Sequence, residues 1–141
     1  MPRFSSTSLK RLETCEDDLQ RLFKEVVKHF DCKILTGHRG KKQQDQAYNA
    51  GWSTLRWPLS KHNSKPSRAV DVAPYPLRWP DKITDPKQRA LEWRRWYMFV
   101  GTVRGIASQM GISIRVGADW DGDMEIKDQN FHDLPHFELK K

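Results

Sequence analysis

The sequence predicts an α+β fold in which helices flank a small, mainly antiparallel sheet within a single domain. Its 141 residues suit one domain that buries its own core. Apolar residues recur at helical spacing near the start of the chain and again in a long segment after position 86. Short β-compatible segments stand between and after these helices, mostly late in the chain, which is typical of α+β domains.

The first part of the chain is predicted to contain helices and one strand. Helical spacing covers residues 8–30, and Thr14 marks a helix start, so this segment is predicted to hold a short helix and then a longer one. Cys32–Thr36 has the composition of a strand. Residues 43–50 are predicted to form a helix that Gly51 ends.

The rest of the chain alternates loops and strands around one long helix. Residues 52–68 are rich in Trp, Pro, Ser and Lys and are predicted to form a loop, followed by a strand at 69–73. A long helix is predicted over 87–110, with strands at 112–116 and 136–139. We expect residues 1–141 to be one domain, with a helical segment at 1–30 and a core at 31–141.

The chain is basic, with a net charge of +7 and a pI of about 9.6. This charge favours an anionic partner, either nucleic acid or an anionic bacterial envelope, although a solvated basic surface explains it equally well. No apolar run approaches the roughly 20 residues of a membrane helix, so no stable membrane insertion is expected. The N-terminus has no apolar central region, so we expect synthesis in a cytoplasm without a signal peptide.

Two short patterns combine a histidine with a carboxylate. In the first, His62 lies in a predicted loop and Asp71 stands between two valines of a predicted strand, where a carboxylate is costly to bury unless it is paired or bound to a cation. In the second, Asp133 lies three residues before His136, which opens an apolar strand. Each pattern alone is more often a structural ion pair or a capped turn. Together they supply two imidazoles and a carboxylate, the ligand set of a zinc site with an open fourth position.

Other residues complete the chemistry of a hydrolytic metal site. A zinc ion lowers the pKa of water, a further carboxylate takes the proton, and a cation stabilises the oxyanion. Arg39 is available as the cation. Glu138 shares a strand face with His136 and is a candidate partner for that imidazole. We interpret His29 as a surface residue, and His132 as a residue that orients the loop or touches substrate.

These motifs resemble the zinc D-Ala-D-Ala carboxypeptidase and L-Ala-D-Glu endopeptidase family, particularly its small phage endolysins. The family is marked by Ser-x-His, then Ala-x-Asp, and later a carboxylate, two residues and a histidine. The matching segments here are Ser60-Lys-His62, Ala69-Val-Asp71 and Asp133-Leu-Pro-His136. An upstream Gly-x-Arg followed by glutamines is also typical, and here it is Gly37-His-Arg39 with Gln43 and Gln46.

The resemblance implies the fold shared by Hedgehog proteins and D,D-peptidases, and a zinc-dependent peptidoglycan hydrolase that cleaves the L-alanyl-D-glutamate bond of stem peptides. D-Ala-D-Ala carboxypeptidase activity is the alternative within the family. One zinc ion per chain is implied, with ligands His62, Asp71 and His136. The implied catalytic residues are the base Asp133 and the carbonyl-polarising Arg39. The implied substrate-binding residues are Ser60, Gln43 and Gln46.

Two further features have open interpretations. The acidic segment at residues 119–125 begins with Asp119 and ends with Glu125, and it loosely resembles a calcium loop without the spacing of an EF-hand. A solvated turn is the preferred interpretation, and a regulatory Ca²⁺ site is the second. Trp52, Trp57 and Trp79 lie in predicted loops, where they either line a groove for a sugar–peptide polymer or cover a loop-rich surface.

Two other classes of function stay open. A nucleic-acid-binding protein or metal nuclease is compatible with the charge and the aromatic content, but the basic residues are scattered and no nucleic-acid-binding motif is present. A non-catalytic wall-binding module is disfavoured because all the ligands and the base are present. We therefore expect a monomer that acts on peptidoglycan, not nucleic acid, after a separate holin has opened the host membrane.

Overall fold

The computed structural model describes residues 2–125 and 133–140. Within this part of the chain the helices are α1 (Ser6–Leu12), α2 (Asp17–His29), α3 (Lys41–Asn49) and α4 (Pro86–Met110). The strands are β1 (Cys32–Thr36), β2 (Ala69–Pro74), β3 (Ile114–Val116) and β4 (His136–Leu139). Short 3₁₀ turns lie at Lys61–Asn63 and Pro80–Lys82. No helix described here is long and apolar enough to cross a membrane.

The ends of the helices follow from local capping. The predicted break in the first helical segment is confirmed, since α1 ends at Leu12 and α2 begins at Asp17. Helix α4 begins where the side chain of Asp85 accepts a hydrogen bond from the backbone N–H of Gln88 at 2.9 Å. It ends at Gly111, whose φ of 72° is the left-handed conformation that glycine adopts without strain.

The four described strands form one antiparallel sheet in the order β1-β2-β4-β3. In the β2–β4 pair, Asp71 lies directly opposite His136. The β1–β2 pair shifts register between Ile34 and Thr36, so that Thr36 also pairs with Asp71. This small antiparallel sheet with flanking helices confirms the predicted fold class.

The core lies on one face of the sheet, between the strands and helices α2 and α4. Phe137 of β4 makes edge-to-face contacts with Phe23 of α2 and Phe99 of α4, with ring centroids 5.3 and 6.0 Å apart. Because neighbouring strand residues point to opposite faces, burying Phe137 turns His136 and Glu138 to the other face. The same alternation buries Val70 and Val72 of β2 in the core and turns Asp71 away from it.

The N-terminal helices belong to the same core. Leu12 of α1 and Leu19, Leu22 and Val26 of α2 are fully buried in it.

The chain has two cysteines, Cys15 and Cys32, and both are buried free thiols. Burial raises the pKa of each thiol to about 12, so both are held in the unreactive neutral form.

Candidate active site

Three side chains from separate elements meet on the face of the sheet that turns away from the core. Asp71 and His136 face each other across β2 and β4, and His62 comes from the 3₁₀ turn Lys61–Asn63. The Oδ1 atom of Asp71 lies 3.3 Å from Nε2 of His62 and 3.4 Å from Nδ1 of His136. One potential ligand atom from each residue lies within 4.8 Å of the others. The structure therefore brings together the predicted metal ligands.

The turn that carries His62 is fixed by its neighbours. The hydroxyl of Ser60 accepts a hydrogen bond from the backbone N–H of His62 at 3.2 Å. Nδ1 of His62 lies 2.8 Å from the carbonyl oxygen of Gly37. Because a carbonyl oxygen only accepts hydrogen bonds, Nδ1 carries the proton and Nε2 keeps its lone pair for a metal. A side chain at Gly37 would overlap Thr14 and the carbonyl of Arg11. Because glycine has no side chain, the Gly37 backbone can lie this close to the end of α1.

The geometry of the three residues fits a zinc ion. Nε2 of His62 and Oδ1 of Asp71 are buried and have no hydrogen-bond partner among residues 2–125 and 133–140. Buried polar atoms without partners are costly, and a bound cation would remove that cost. A tetrahedral zinc site with bonds of about 2.0–2.1 Å separates its ligand atoms by about 3.3 Å. The separations from Oδ1 of Asp71 to both imidazole nitrogens, 3.3 and 3.4 Å, match that edge.

A buried carboxylate holds the second imidazole. Oε1 of Glu138 accepts a hydrogen bond from Nε2 of His136 at 2.8 Å, which turns Nδ1 toward Asp71. The other carboxylate oxygen of Glu138 lies 3.0 Å from Nζ of Lys61 and 2.9 Å from Arg115. Burial would raise the pKa of Glu138, but the hydrogen bonds from His136 and Lys61 outweigh it and hold the pKa at about 2. The expected contact between Glu138 and His136 is present.

The charges within the centre are tightly linked. Burial would raise the pKa of Asp71, but the two facing imidazoles hold it well below its usual range. Burial likewise opposes the charge on His136, but the facing Asp71 carboxylate and the hydrogen bond to Glu138 raise the pKa of His136 to about 9. Asp71 therefore stays a negatively charged carboxylate between the two imidazoles.

Asp133 lies beside the three candidate ligands. Its Oδ2 atom is 3.9 Å from Nδ1 of His136, and its side chain is 27% exposed. Its backbone N–H donates to the carbonyl of Gly117 at 3.0 Å, and a side chain at Gly117 would overlap the Asp133 backbone. Burial and the nearby charge of Asp71 raise the pKa of Asp133 to about 6. A carboxyl group with a pKa near neutrality is suited to accept and release a proton.

Arg39 also reaches the centre. One guanidinium nitrogen lies 3.4 Å from Oδ2 of Asp71, and another donates to Oε1 of Gln44 at 3.0 Å. The backbone N–H of Arg39 donates to the carbonyl of His62 at 2.7 Å. Only 14% of the Arg39 side chain is exposed, so the guanidinium is held within the site.

The structure places the glutamines of α3 differently from the prediction. Gln43 and Gln46 are exposed, and neither is among the described residues that line the cleft. Gln43 instead accepts a hydrogen bond from the N–H of Gly40 at the start of α3. The glutamine that touches the site is Gln44, which is fully buried and fixes Arg39. Helical spacing carries the missed signal, because Gln44 and Ala47 share the buried face of α3.

The site opens into a cleft with a volume of about 1050 Å³. The candidate ligands, Asp133, Arg39 and Ser60 line it. Aromatic side chains line much of the rest, namely Trp52, Trp79, Trp93, Trp96 and Trp120. Of the loop tryptophans singled out from the sequence, Trp52 and Trp79 therefore face the cleft, whereas Trp57 is not among the described lining residues.

The acidic segment also groups potential ligands. Asp119, Asp121 and Asp123 each offer a carboxylate oxygen within 4.8 Å of the others. Asp119 is buried, and its Oδ2 atom accepts hydrogen bonds from Arg104 at 3.0 Å and from the backbone N–H of Met124 at 2.8 Å. Its Oδ1 atom has no hydrogen-bond partner in the described part of the chain. His132 lies outside the described residues.

Comparisons with known proteins identify the family of this chain. The chain matches the family model of the phage L-alanyl-D-glutamate peptidase over residues 1–140. The L-alanyl-D-glutamate peptidase of Escherichia phage T5 is 26% identical over 145 residues, covering 97% of each protein. The crystal structure of the Serratia marcescens L-Ala D-Glu endopeptidase ChiX has the same fold, with a TM-score of 0.70 and 23% identity over 98% of this chain and 90% of that one. Because the family model spans nearly the whole sequence, the chain belongs to the phage L-alanyl-D-glutamate peptidase family.

Proposed function

We propose that this chain is a zinc-dependent endolysin that hydrolyses the L-alanyl-D-glutamate bond of peptidoglycan stem peptides. One observation carries the proposal. Potential ligand atoms of His62, Asp71 and His136 lie close together, and two atoms of this group, Nε2 of His62 and Oδ1 of Asp71, are buried without a hydrogen-bond partner in the described structure. Asp133 lies beside them with a pKa raised to about 6. Membership of the phage L-alanyl-D-glutamate peptidase family supports the choice of bond.

His62, Asp71 and His136 would hold the zinc ion. When bound, zinc supplies a Lewis acid that lowers the pKa of water and polarises a carbonyl oxygen. The Asp133 carboxylate takes a proton from the attacking water as the water oxygen bonds to the carbonyl carbon of L-alanine. Asp133 then gives that proton to the amine of D-glutamate as the C–N bond breaks. A pKa near neutrality allows one carboxyl group to serve as both base and acid.

Arg39 supplies positive charge for the oxygen that becomes anionic. The hydrogen bond from Arg39 to buried Gln44 and the contact with Asp71 orient its guanidinium before substrate arrives. We therefore assign the role of positioning Arg39 to Gln44, in place of the substrate contacts expected of Gln43 and Gln46. Ser60 lines the cleft and caps the turn that carries His62, which supports a positioning role together with the expected contact with substrate.

The site of action follows from the proposed activity. The chain would act as a monomer on peptidoglycan after synthesis in the host cytoplasm, once a separate holin has opened the membrane. The net charge of +7 would concentrate it at an anionic envelope.

We also propose a second, weaker cation site, for Ca²⁺, at residues 119–125. Its support is the buried Oδ1 atom of Asp119, which has no hydrogen-bond partner in the described structure.

Mass spectrometry of the fragments released from purified peptidoglycan tests the bond that is cut. The wild-type protein and Asp133→Ala are compared with zinc supplied. New C-terminal L-alanine and N-terminal D-glutamate from the wild type alone would support the proposal. Release of free D-alanine would instead indicate a carboxypeptidase with the same site. No release by the wild type would refute the peptidase and leave the nuclease alternative to be assayed on DNA and RNA.

A further inference from the structure

An aromatic platform lines the same cleft as the three candidate metal ligands. The ring of Trp79 stacks on Trp96 with centroids 5.2 Å apart and an angle of 28° between the planes. Trp96 is fully buried, and its indole N–H donates to the carbonyl of Arg78 at 2.9 Å. One face of Trp79 is therefore held from behind by a fixed ring, while 36% of the residue stays exposed. A side chain fixed in this way contacts a ligand with little loss of conformational entropy.

A second indole stands close to this platform. Trp93 is on the same helix as Trp96, one turn earlier, and it is 37% exposed. Trp79, Trp93 and Trp96 line the same cleft as His62 and Asp133. Partly exposed indoles that are grouped in a cleft are typical of a ligand-binding surface.

The chemistry of the substrate places a sugar a short distance from the scissile bond. In peptidoglycan, the amine of L-alanine is joined to the lactyl group of N-acetylmuramic acid. One extended residue spans about 3.5 Å, so L-alanine and the lactyl group separate the scissile bond from the sugar ring by roughly 7 Å. When the L-alanyl-D-glutamate bond is at the metal centre, the muramyl ring therefore lies within the cleft or at its rim.

We propose that Trp79, backed by Trp96 and flanked by Trp93, is a stacking platform for the N-acetylmuramic acid ring of the substrate. This inference rests on the proposed function. The C–H groups on one face of a pyranose ring carry partial positive charge and pack on the electron-rich face of an indole. The peptide beyond the scissile bond is rich in carboxylates and offers no comparable apolar face. The platform therefore makes the enzyme selective for stem peptides that are still attached to the glycan.

Two substrates that differ only in the sugar test this inference. One is the free stem tripeptide that begins L-Ala-D-Glu, and the other is the same tripeptide bearing N-acetylmuramic acid. The measured quantity is the ratio of kcat/KM for the muramyl peptide to kcat/KM for the free peptide. We expect the wild type to favour the muramyl peptide about tenfold, and Trp79→Ala to lower the ratio roughly three- to tenfold.

Three further variants separate stacking from general damage to the fold. Trp79→Phe keeps an aromatic face and should retain most of the preference for the sugar. Trp93→Ala should lower the ratio by less than Trp79→Ala. Trp57→Ala removes a tryptophan that does not line the cleft in the described structure, and it should leave the ratio unchanged. A Trp79→Ala protein that keeps its rate on the free peptide is folded, so its lost preference reports on the sugar.

The outcomes distinguish this inference from the function on which it rests. Equal ratios for the wild type and Trp79→Ala, with both substrates cleaved, would overturn the platform and leave the peptidase intact. If the wild type cleaves neither substrate, the proposed function is wrong and the platform is overturned with it. Binding of N-acetylmuramyl-L-alanine followed by NMR, present in the wild type and at least threefold weaker in Trp79→Ala, would support the platform without relying on turnover.

Discussion

Two regions of the molecule bring three potential metal ligands within 4.8 Å of one another, and they differ in how those ligands are held. In the His62, Asp71 and His136 centre, two ligands lie on paired strands and each imidazole is fixed through its other nitrogen, by Gly37 or by Glu138. In the acidic segment, Asp121 and Asp123 are exposed, whereas buried Asp119 forms an ion pair with Arg104.

The difference shows that closeness alone does not make a strong metal site. The histidine centre is ordered before the metal arrives, so binding costs little conformational entropy. In the acidic segment, exposed Asp121 and Asp123 already accept backbone hydrogen bonds, and Arg104 already neutralises part of the negative charge of Asp119. We therefore expect tight zinc binding at the first region and weak calcium binding, with a Kd of about 10⁻⁴ M or higher, at the second.

Removal of a zinc ligand should have the largest effect. His62→Ala and His136→Ala should each lower the bound zinc from one per chain to almost none and reduce hydrolysis of peptidoglycan by at least about 1000-fold. His29→Ala is the matched control, because His29 is exposed on α2 and its Nε2 atom lies 2.9 Å from the carboxylate of Glu25, away from the site. Full activity in either ligand variant would show that the metal centre is elsewhere.

Loss of the proposed base should reduce turnover without loss of metal. Asp133→Asn keeps the size of the side chain but cannot take up a proton, so kcat should fall by roughly 10²–10⁴-fold while bound zinc stays near one per chain. Asp45→Asn is the control, since Asp45 pairs with Lys41 on the surface of α3. Metal content from elemental analysis and kcat are measured on the same samples, and an unchanged kcat would remove Asp133 from the mechanism.

The hydrogen bond between Glu138 and His136 should increase the affinity of the site for zinc. Glu138→Gln removes the negative charge next to the imidazole, and zinc affinity measured by chelator competition should fall about 10–100-fold. Glu92→Gln is a matched control, because Glu92 is also a buried carboxylate, paired with Arg95 on α4. Similar loss of zinc affinity in both variants would mean that general destabilisation, and not the contact with His136, explains the result.

Calcium should have the smallest effect. Addition of 1 mM CaCl₂ should raise the Tm by roughly 1–4 °C if the acidic segment binds the ion with the expected weak affinity. The double variant Asp121→Asn with Asp123→Asn should remove the shift and keep the zinc content. No change in Tm or activity of the wild type on adding calcium would leave the segment as a solvated turn.

Local sequence patterns are sufficient to predict the helices and strands and to single out three residues as candidate metal ligands. Asp71 is conspicuous as a carboxylate between two valines, and His136 as an imidazole at the start of an apolar strand. The strand alternation that buries Val70, Val72 and Phe137 places both ligands on the opposite face.

Contacts between distant segments could not be predicted in the same way. The register that sets Asp71 opposite His136 depends on pairing between strands that are far apart in the sequence. The phase of α3 decides that Gln44, and not Gln43 or Gln46, reaches Arg39. The stacking of Trp79 on Trp96 needs the 3₁₀ turn to fold back against α4, which no local pattern indicates.

Zinc titration of the metal-free protein tests the central claim most directly. The protein is stripped with a chelator, and release of new L-alanine ends from peptidoglycan is measured as zinc is added. We predict negligible release without metal, and activity that rises linearly to a plateau at one zinc per chain. Full activity in the metal-free protein, or recovery with magnesium but not with zinc, would contradict a zinc-dependent peptidase built on His62, Asp71 and His136.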